Sequence, residues 1–419
     1  MDAHDEASPE PVRLDLPRDG LPSVGHTAND FRAAAHRLGA GRGPIALDTE
    51  RASEFRFDDR AFLVQMRRQD TGTILLSPEH DRKAFELHVV PVLNECEWVL
   101  HAAASDLPAL TDLGLVPNHL FDTELAARLA GFSHVNLGAL VRELLHVDLA
   151  KGHSDENWSQ WPLPDDWIAY AALDVEFLND LAQALVEILD DQGKLGWAEE
   201  EFEYIAQQQY SLSHSDWRNL KGIGKLRTPA QLQVAHVLWQ HREDLGRAYD
   251  TAPGRILSNR GLVELASAGE YTIANVSKIL RTTRSRRHQQ VPIARETKLS
   301  APQWHNLIVS ALAEPAHTWP KTLRPEADTP APRSSWAREF PEAHAALNAV
   351  RALIDDLAQE VGTPAENLLQ PAALRELIWH ATVTHTISSR IELLEHMQRI
   401  GVRRWQIQLT APLLERALF

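Results

Sequence analysis

Strand-length apolar segments are confined to one stretch of this 419-residue chain, and helical periodicity governs nearly everything after it. Pro44-Ile45-Ala46-Leu47, Ala61-Phe62-Leu63-Val64 and Thr73-Ile74-Leu75-Leu76 are each one strand long. Charged or glycine-bearing turns part them, the pattern of a three-stranded meander. Ser77-Pro78-Glu79 predicts a helix running to about Leu93, with serine as cap and proline at the first helical position. Trp98-Val99-Leu100-His101 reads as a fourth strand, followed by a helix over 106–113 capped by Ser105. Segments 122–130, 136–145 and 165–190 then read as helices, the last opening on the acidic pair Asp165-Asp166. Strands first, then a strand–helix unit, then helices alone predict an α/β domain in front of an all-α region.

The length suits about two to four domains. Residues 1–29 read as a polar lead-in and 30–215 as the α/β domain. A compact helical unit follows over 226–300, with Gly222-Ile223-Gly224 at its boundary. A Pro/Arg/Thr-rich stretch, 315–335, reads as a linker, and 336–419 as a second helical unit. Both helical units pair a long first helix with short ones, as diverged repeats would.

With 44% hydrophobic and 24% charged residues the chain is globular rather than disordered. One cysteine, Cys96, excludes an intramolecular disulfide framework and a cysteine-rich zinc module. The first thirty residues lack an apolar core of the secretory type, and no run approaches about eighteen apolar residues. The expectation is a cytoplasmic protein with no membrane partner. A net charge of −16 argues at face value against a polyanion partner. Its distribution qualifies that: residues 1–224 carry 18 basic and 39 acidic side chains, residues 225–300 carry 13 and 6. A basic middle between acidic or neutral flanks fits a polyanion-facing module, and also a solvated helix face.

Asp48-Thr49-Glu50 ends the first strand of the meander. Residues two apart on a strand share a face, so both carboxylates can converge on one cation. Asp-x-Glu recurs at Asp122 and Asp174, so the pair alone is weak. Tyr170 and Asp174 stand four apart on a helix, phenol and carboxylate on one face; a core tyrosine with an edge aspartate has the same spacing. Asp106 follows the fourth strand, where aspartate also serves as a cap. Four carboxylates crowded together are costly without cations. Two divalent ions, Mg²⁺ or Mn²⁺, match oxygen ligands, and a pair about 3.5–4 Å apart is the usual device for phosphodiester hydrolysis. A tyrosine with an ordinary pKa of about 10 suits orienting the attacking water better than deprotonating it.

Ile-Ala-Leu-Asp-Thr-Glu (45–50), His-x4-Asp-Leu (101–107) and Tyr-Ala-Ala-Leu-Asp-Val (170–175) resemble the three exonuclease motifs of the DEDD superfamily, tyrosine (DEDDy) branch. Leu-Phe-Asp-Thr-Glu-Leu-Ala-Ala-Arg-Leu (120–129), Lys151, Trp158 and Trp217-Arg218-Asn219-Leu220-Lys221-Gly222 are similar to ribonuclease D. Residues 238–247 with Pro253-Gly254-Arg255-Ile256-Leu257 resemble an HRDC domain, and 337–418 a diverged second copy. The resemblance implies an RNase H-like α/β exonuclease domain, a mixed sheet flanked by helices, followed by two all-α HRDC-like domains. It implies metal ligands Asp48, Glu50, Asp106 and Asp174, with Tyr170 positioning the water. It further implies a 3′→5′ exoribonuclease that releases 5′-mononucleotides from RNA with a free 3′ end, such as tRNA precursors. Nothing in the sequence demands an oligomer or an obligate protein partner, so a monomer is the expectation.

Two departures stand out: Arg51 where an aromatic usually follows the first motif, and Trp161 where arginine usually precedes Pro-Leu. Lys151 fits a phosphate contact or an ordinary exposed lysine. His101 fits a group behind the site or a satisfied core histidine. Arg281, Arg284, Arg286 and Arg287 suit backbone tracking along a nucleic acid, and equally a solvated linker. A DNA-directed exonuclease and a non-catalytic nucleic-acid scaffold are the competing readings. A metal site reads phosphate and does not separate RNA from DNA.

Overall fold

The computed structural model describes residues 10–150, 152–153, 155–212, 216–283, 291–321 and 329–419. Its strands are β1 (Val12–Leu14), β2 (Val24–Gly25), β3 (Arg42–Arg51), β4 (Ala61–Gln69), β5 (Gly72–Leu76), β6 (Glu97–Leu100), β7 (His119–Asp122) and β8 (Val147–Leu149). Six of them form one mixed sheet in the order β2-β5-β4-β3-β6-β7. The β3-β4-β5 meander is antiparallel; β6 pairs parallel to β3, and β7 parallel to β6. Ile45, Ala46 and Leu47 are fully buried, so β3 is covered on both faces and reads as a continuous apolar run.

One face of the sheet is closed by α1 (Ala28–Ala40), α2 (Arg82–His88), α3 (Val90–Asn94) and α4 (Leu107–Asp112), around Phe31, Leu38, Phe85 and Trp98. Helices α5 (Thr123–Ala130), α6 (Leu137–Leu145), α7 (Asp165–Glu176), α8 (Leu178–Asp191) and α9 (Leu195–Gln207) complete the domain, with Val175 and Leu178 against Ala46 and Val99 on the opposite face.

Several expectations need correcting. Within the polar lead-in, β1 pairs with β8, β2 pairs with β5, and α1 already starts at Ala28. These two- and three-residue strands take their order from hydrogen bonds to distant partners, a cause that polar composition does not reveal. The helix expected over 78–93 is broken. Asp81 caps α2 by accepting from the Ala84 amide, and Pro91 has no N–H to continue the ladder past Val89. Ser77 sends its hydroxyl to the Phe62 carbonyl instead of capping. The Ser105 hydroxyl donates to the Ala102 carbonyl and to Asp106, so it does not cap α4 either. The 165–190 segment is two helices meeting at Phe177.

The first helical unit comprises α10 (Pro229–Ala248), α11 (Pro253–Ile256), α12 (Asn259–Ser267), α13 (Ile273–Thr283) and α14 (Ala301–Ala313). Its core takes in Trp217 before it and Trp304 and Ile308 on α14, so the unit reaches beyond 226–300 at both ends. After α15 (Arg333–Glu339), which starts inside the expected linker, come α16 (Pro341–Val361), α17 (Ala365–Leu368), α18 (Pro371–Thr382), α19 (Arg390–Arg399) and α20 (Arg404–Leu418). In both units a long helix opened by proline leads to a one-turn helix. Leucine ends that short helix in near-identical extended backbone, Leu257 at φ −149°, ψ 117° and Leu369 at −154°, 117°. None of the described helices is long and apolar enough to cross a membrane.

Candidate active site

β3 runs through the middle of the sheet and delivers Asp48 and Glu50 to one side; α7 packs across β3 and β4 and delivers Asp174 to the same place. Carboxylate oxygens of these three residues all lie within 4.8 Å of one another. Gln65, fully buried on β4 and in register with Asp48, donates from Nε2 to Asp48 Oδ2 (3.1 Å) and Glu50 Oε1 (3.4 Å). Tyr170, one helical turn before Asp174, hydrogen-bonds to it. Behind the phenol, Trp158 and His153 stand 6.4 and 5.8 Å away between ring centres.

Asp106 approaches from the end of β6. Its Oδ1 accepts from Thr49 Oγ1 (2.5 Å) and its Oδ2 from Ser105 Oγ (2.8 Å). Arg51 lies 4.0 Å from Asp106 Oδ1 and donates to the Ser105 carbonyl, so it is tied to the Asp106 turn. The turn itself is held by Asp122. Its carboxylate accepts from the amides of Ala102 (3.0 Å) and Ala103 (2.8 Å), fixing Ala102 in left-handed backbone at φ 59°. The three Asp-x-Glu matches therefore have different jobs. Asp48 and Glu50 meet at the cluster, Asp122 holds a turn, and Glu176 accepts from Arg18 at 2.7 Å.

Burial, and then the charges of their neighbours, drives the Asp48 and Glu50 carboxyls well above the usual range. Burial likewise raises Asp106, against the pull of Arg51 and of the Thr49 and Ser105 hydroxyls. Asp174 is pushed up to about 7 by burial and the Asp106 charge, opposed by the Tyr170 hydrogen bond. Tyr170 is raised above its ordinary value by burial and by Asp174, Glu50 and Asp48, so its phenol keeps its proton. Four crowded acids, Glu50 and Asp106 buried and Asp48 and Asp174 partly so, with Arg51 as the nearby counter-charge, call for added positive charge. Their all-oxygen donor set fits a hard divalent cation such as Mg²⁺ or Mn²⁺.

The remaining candidates are scattered. His101 is largely buried with Nδ1 2.9 Å from Thr123 Oγ1, and burial lowers its pKa to about 4, so the imidazole is neutral and packed under α5. Arg281 lies on α13 and lines a cavity of about 820 Å³ between the first helical unit and the segment after β3, together with Ser53, Glu54, Arg255 and Lys298. Lys151, Arg284, Arg286 and Arg287 lie outside the described residues. Sequence reasoning missed Gln65 and Thr49, whose roles come from cross-strand register and from a contact between β3 and the turn before α4. Trp161 is half-exposed, its ring 4.8 Å from His26 and 4.4 Å from His80.

The family described as 3′-5′ exonuclease matches residues 25–190, and the family described as 3′ to 5′ exonuclease C-terminal domain matches residues 329–418. The second match covers the unit expected as a diverged HRDC copy. The chain is 35% identical over 275 residues to the ribonuclease D of Acidiphilium cryptum, covering 65% of this chain and 67% of that one. Aligned stretches span about half to two thirds of the length of several such curated relatives, 55% for that of Bartonella henselae. A crystal structure of a protein from Bifidobacterium adolescentis superposes with a TM-score of 0.85 at 32% identity, covering 98% of this chain and all of that one. Escherichia coli RNase D shares the fold at a TM-score of 0.66 and 20% identity, over 94% of this chain and 98% of that one. With both exonuclease families matched and relatives of this identity, the chain belongs to the ribonuclease D family.

Proposed function

We propose that the chain is a metal-dependent 3′→5′ exoribonuclease that shortens RNA from its 3′ end and releases 5′-mononucleotides. The observation that carries this reading is the convergence of Asp48, Glu50 and Asp174 within 4.8 Å, with the Tyr170 phenol hydrogen-bonded to Asp174. Asp48, Glu50, Asp174 and Asp106 are the residues that would hold two divalent cations, Mg²⁺ or Mn²⁺. Such ions, when bound, supply the charge that makes phosphodiester hydrolysis feasible at neutral pH. The protonated Tyr170 hydroxyl orients the attacking water by donating or accepting a hydrogen bond, without taking its proton. Gln65 keeps the Asp48 and Glu50 carboxylates aimed at one point, and Arg51 braces the Asp106 turn.

The RNA strand upstream of the scissile bond passes along the cavity lined by Arg255, Arg281 and Lys298, where cations meet phosphates. The two helical units, read as HRDC-like, serve as RNA-binding modules. Escherichia coli RNase D is described as an exoribonuclease involved in structured RNA processing, and tRNA precursors with 3′ extensions are the matching substrates here. The same reading has the chain working as a monomer in the cytoplasm.

The test is digestion of a 5′-labelled, 3′-extended tRNA and a matched DNA strand with Mg²⁺, Mn²⁺ or EDTA. The expected result is a metal-dependent ladder shortening from the 3′ end of the RNA, with the DNA largely intact. Asp174→Asn should lower that rate by about 100-fold or more, since even groups behind metal ligands cost about 10–100-fold. Equal attack on DNA would make it a general exonuclease. An undiminished rate in the Asp174→Asn enzyme would sink the reading.

A further inference from the structure

Separate from the carboxylate cluster, the second helical unit gathers a different set of ligands. Glu376 and His380 stand four residues apart on α18 and so share one face; His396 comes from α19, which packs against α18. One ligand atom from each lies within 4.8 Å of the other two. His396 is buried, with Nε2 3.1 Å from Glu376 Oε1, and the two imidazoles lie 4.6 Å apart between ring centres. His380 Nδ1 lies 2.7 Å from Thr386 Oγ1 and 3.2 Å from Thr384 Oγ1, on the loop that turns back from α18. The same loop is pinned by Thr386 and Ile387 amides donating to the His380 carbonyl.

A His–Glu hydrogen bond alone would tie α19 to α18. The second imidazole, brought to the same point by helical spacing and fixed by a hydroxyl on one ring nitrogen, is what a metal centre adds. Metal-binding imidazoles keep an oxygen partner on the ring nitrogen that does not ligate, and ligation through His380 Nε2 would leave Thr386 in that place. Two ligand atoms of a tetrahedral zinc stand about 3.3 Å apart, each about 2.0–2.1 Å from the ion, so closing this triad needs side-chain adjustment alone. Two nitrogens and one carboxylate oxygen favour a borderline transition ion over Mg²⁺, in contrast to the all-oxygen cluster of the exonuclease domain.

We propose that Glu376, His380 and His396 bind one Zn²⁺-class ion, with water as fourth ligand, clamping α18, its following loop and α19 into one piece.

The experiment uses the full chain stripped with EDTA, returned to excess Mg²⁺ to satisfy the carboxylate cluster, and titrated with Co²⁺ and then Zn²⁺. The expected result is visible absorption of tetrahedral Co²⁺ saturating at one equivalent and displaced by Zn²⁺. It should persist in Asp174→Asn and disappear, with affinity lower by about 100-fold or more, in His380→Gln. Glu376→Gln and His396→Gln should weaken binding too. His380→Gln should keep its circular dichroism and exonuclease rate, so loss of the signal is not loss of the fold. Absence of the Co²⁺ spectrum, or a spectrum that His380→Gln leaves unchanged, would overturn the proposal and leave the cluster a hydrogen-bonded strap.

Discussion

The two helical units share a plan and differ in how they join the exonuclease domain. The first meets it along a polar seam at the end of α10. Asp250 accepts from Arg60 (2.7 Å), from Arg56 (3.2 Å) and from the Phe57 amide (3.3 Å), and the Ala252 amide reaches the Phe55 carbonyl at 3.2 Å. Gly246 is needed there because a Cβ would stand 2.9 Å from the Phe57 ring. The second unit adds to polar contacts, such as Arg403 Nε donating to Glu201 Oε1 at 2.6 Å, a broad apolar joint. Its residues from Trp336 to Leu414 share one apolar core with Ala126, Leu129, Leu181 and Phe202 of the exonuclease domain. Trp405 stacks on Trp197 at 4.9 Å, and Lys194 Nζ donates across the joint to the Gly362 carbonyl at 3.0 Å. Gly131 faces Gly362 so closely that a Cβ would come within 2.5 Å of its carbonyl oxygen. Burial of apolar area is strong and insensitive to salt, whereas exposed ion pairs are weak and screened. One unit is therefore built in and the other is hung on.

The largest break in that contrast comes from Trp405→Ala. The indole is almost fully buried and its N–H donates to Glu201 at 3.0 Å, so truncation leaves a cavity and removes one of the two donors, Trp405 and Arg403, that hold this carboxylate. Loss of about 3–5 kcal/mol is expected, in a single transition shared by the exonuclease domain and the second unit. Urea unfolding followed by far-ultraviolet circular dichroism and by exonuclease rate checks it. If activity outlives the helical signal, the unit is not part of the exonuclease core.

Acid acts on the built-in side from within. Helix α5, whose far end carries Leu129 and Gly131 to the second unit, starts at Thr123 over His101. The His101 pKa, lowered to about 4 by burial, lies below its ordinary 6.5. The unfolded chain therefore binds the proton first, and stability present above pH 6.5 declines as pH falls toward 4. Between pH 7 and 5 this one residue costs about 2 kcal/mol. The cluster carboxyls, whose pKa values are raised, contribute with the opposite sign. The measurement is thus the difference between wild type and His101→Gln, and equal slopes for the two would refute the assignment.

Legibility followed the range of the interaction that makes each feature. Asp48 with Glu50, and Tyr170 with Asp174, sit at spacings that strand and helix geometry bring to one face, and the structure places Asp48, Glu50 and Asp174 together. Gln65 was invisible because its place opposite Asp48 depends on the β3–β4 register, which shifts between Arg42 and Ala46. The β1 and β2 strands are too short to carry a period and exist through partners far along the chain. Which helical unit is built in could not be read either. Both units have apolar helix faces, and only packing shows that one of them closes on α5, α8 and α9.

The smallest effect sharpens the seam itself. Asp250 sits at φ 44°, which asparagine tolerates, so Asp250→Asn removes charge without straining the backbone. Its carboxylate is about one third exposed, and the ion pairs with Arg56 and Arg60 together merit about 1 kcal/mol after screening. Amide exchange of Ala252 and its neighbours should then speed up about five-fold in low salt, with residues 341–418 unaffected. Burial pushes the Asp250 carboxyl up. The Arg60 hydrogen bonds and charge, the Phe57 amide and Arg56 outweigh it and leave the group below its ordinary 3.8. The seam is therefore fully charged above pH 3.8 and is lost as pH falls through the lower folded value. Wild type and Asp250→Asn should exchange at different rates near neutrality and converge only below pH 3.8 or in high salt. Convergence already at pH 5 would mean that the seam is not held by this carboxylate.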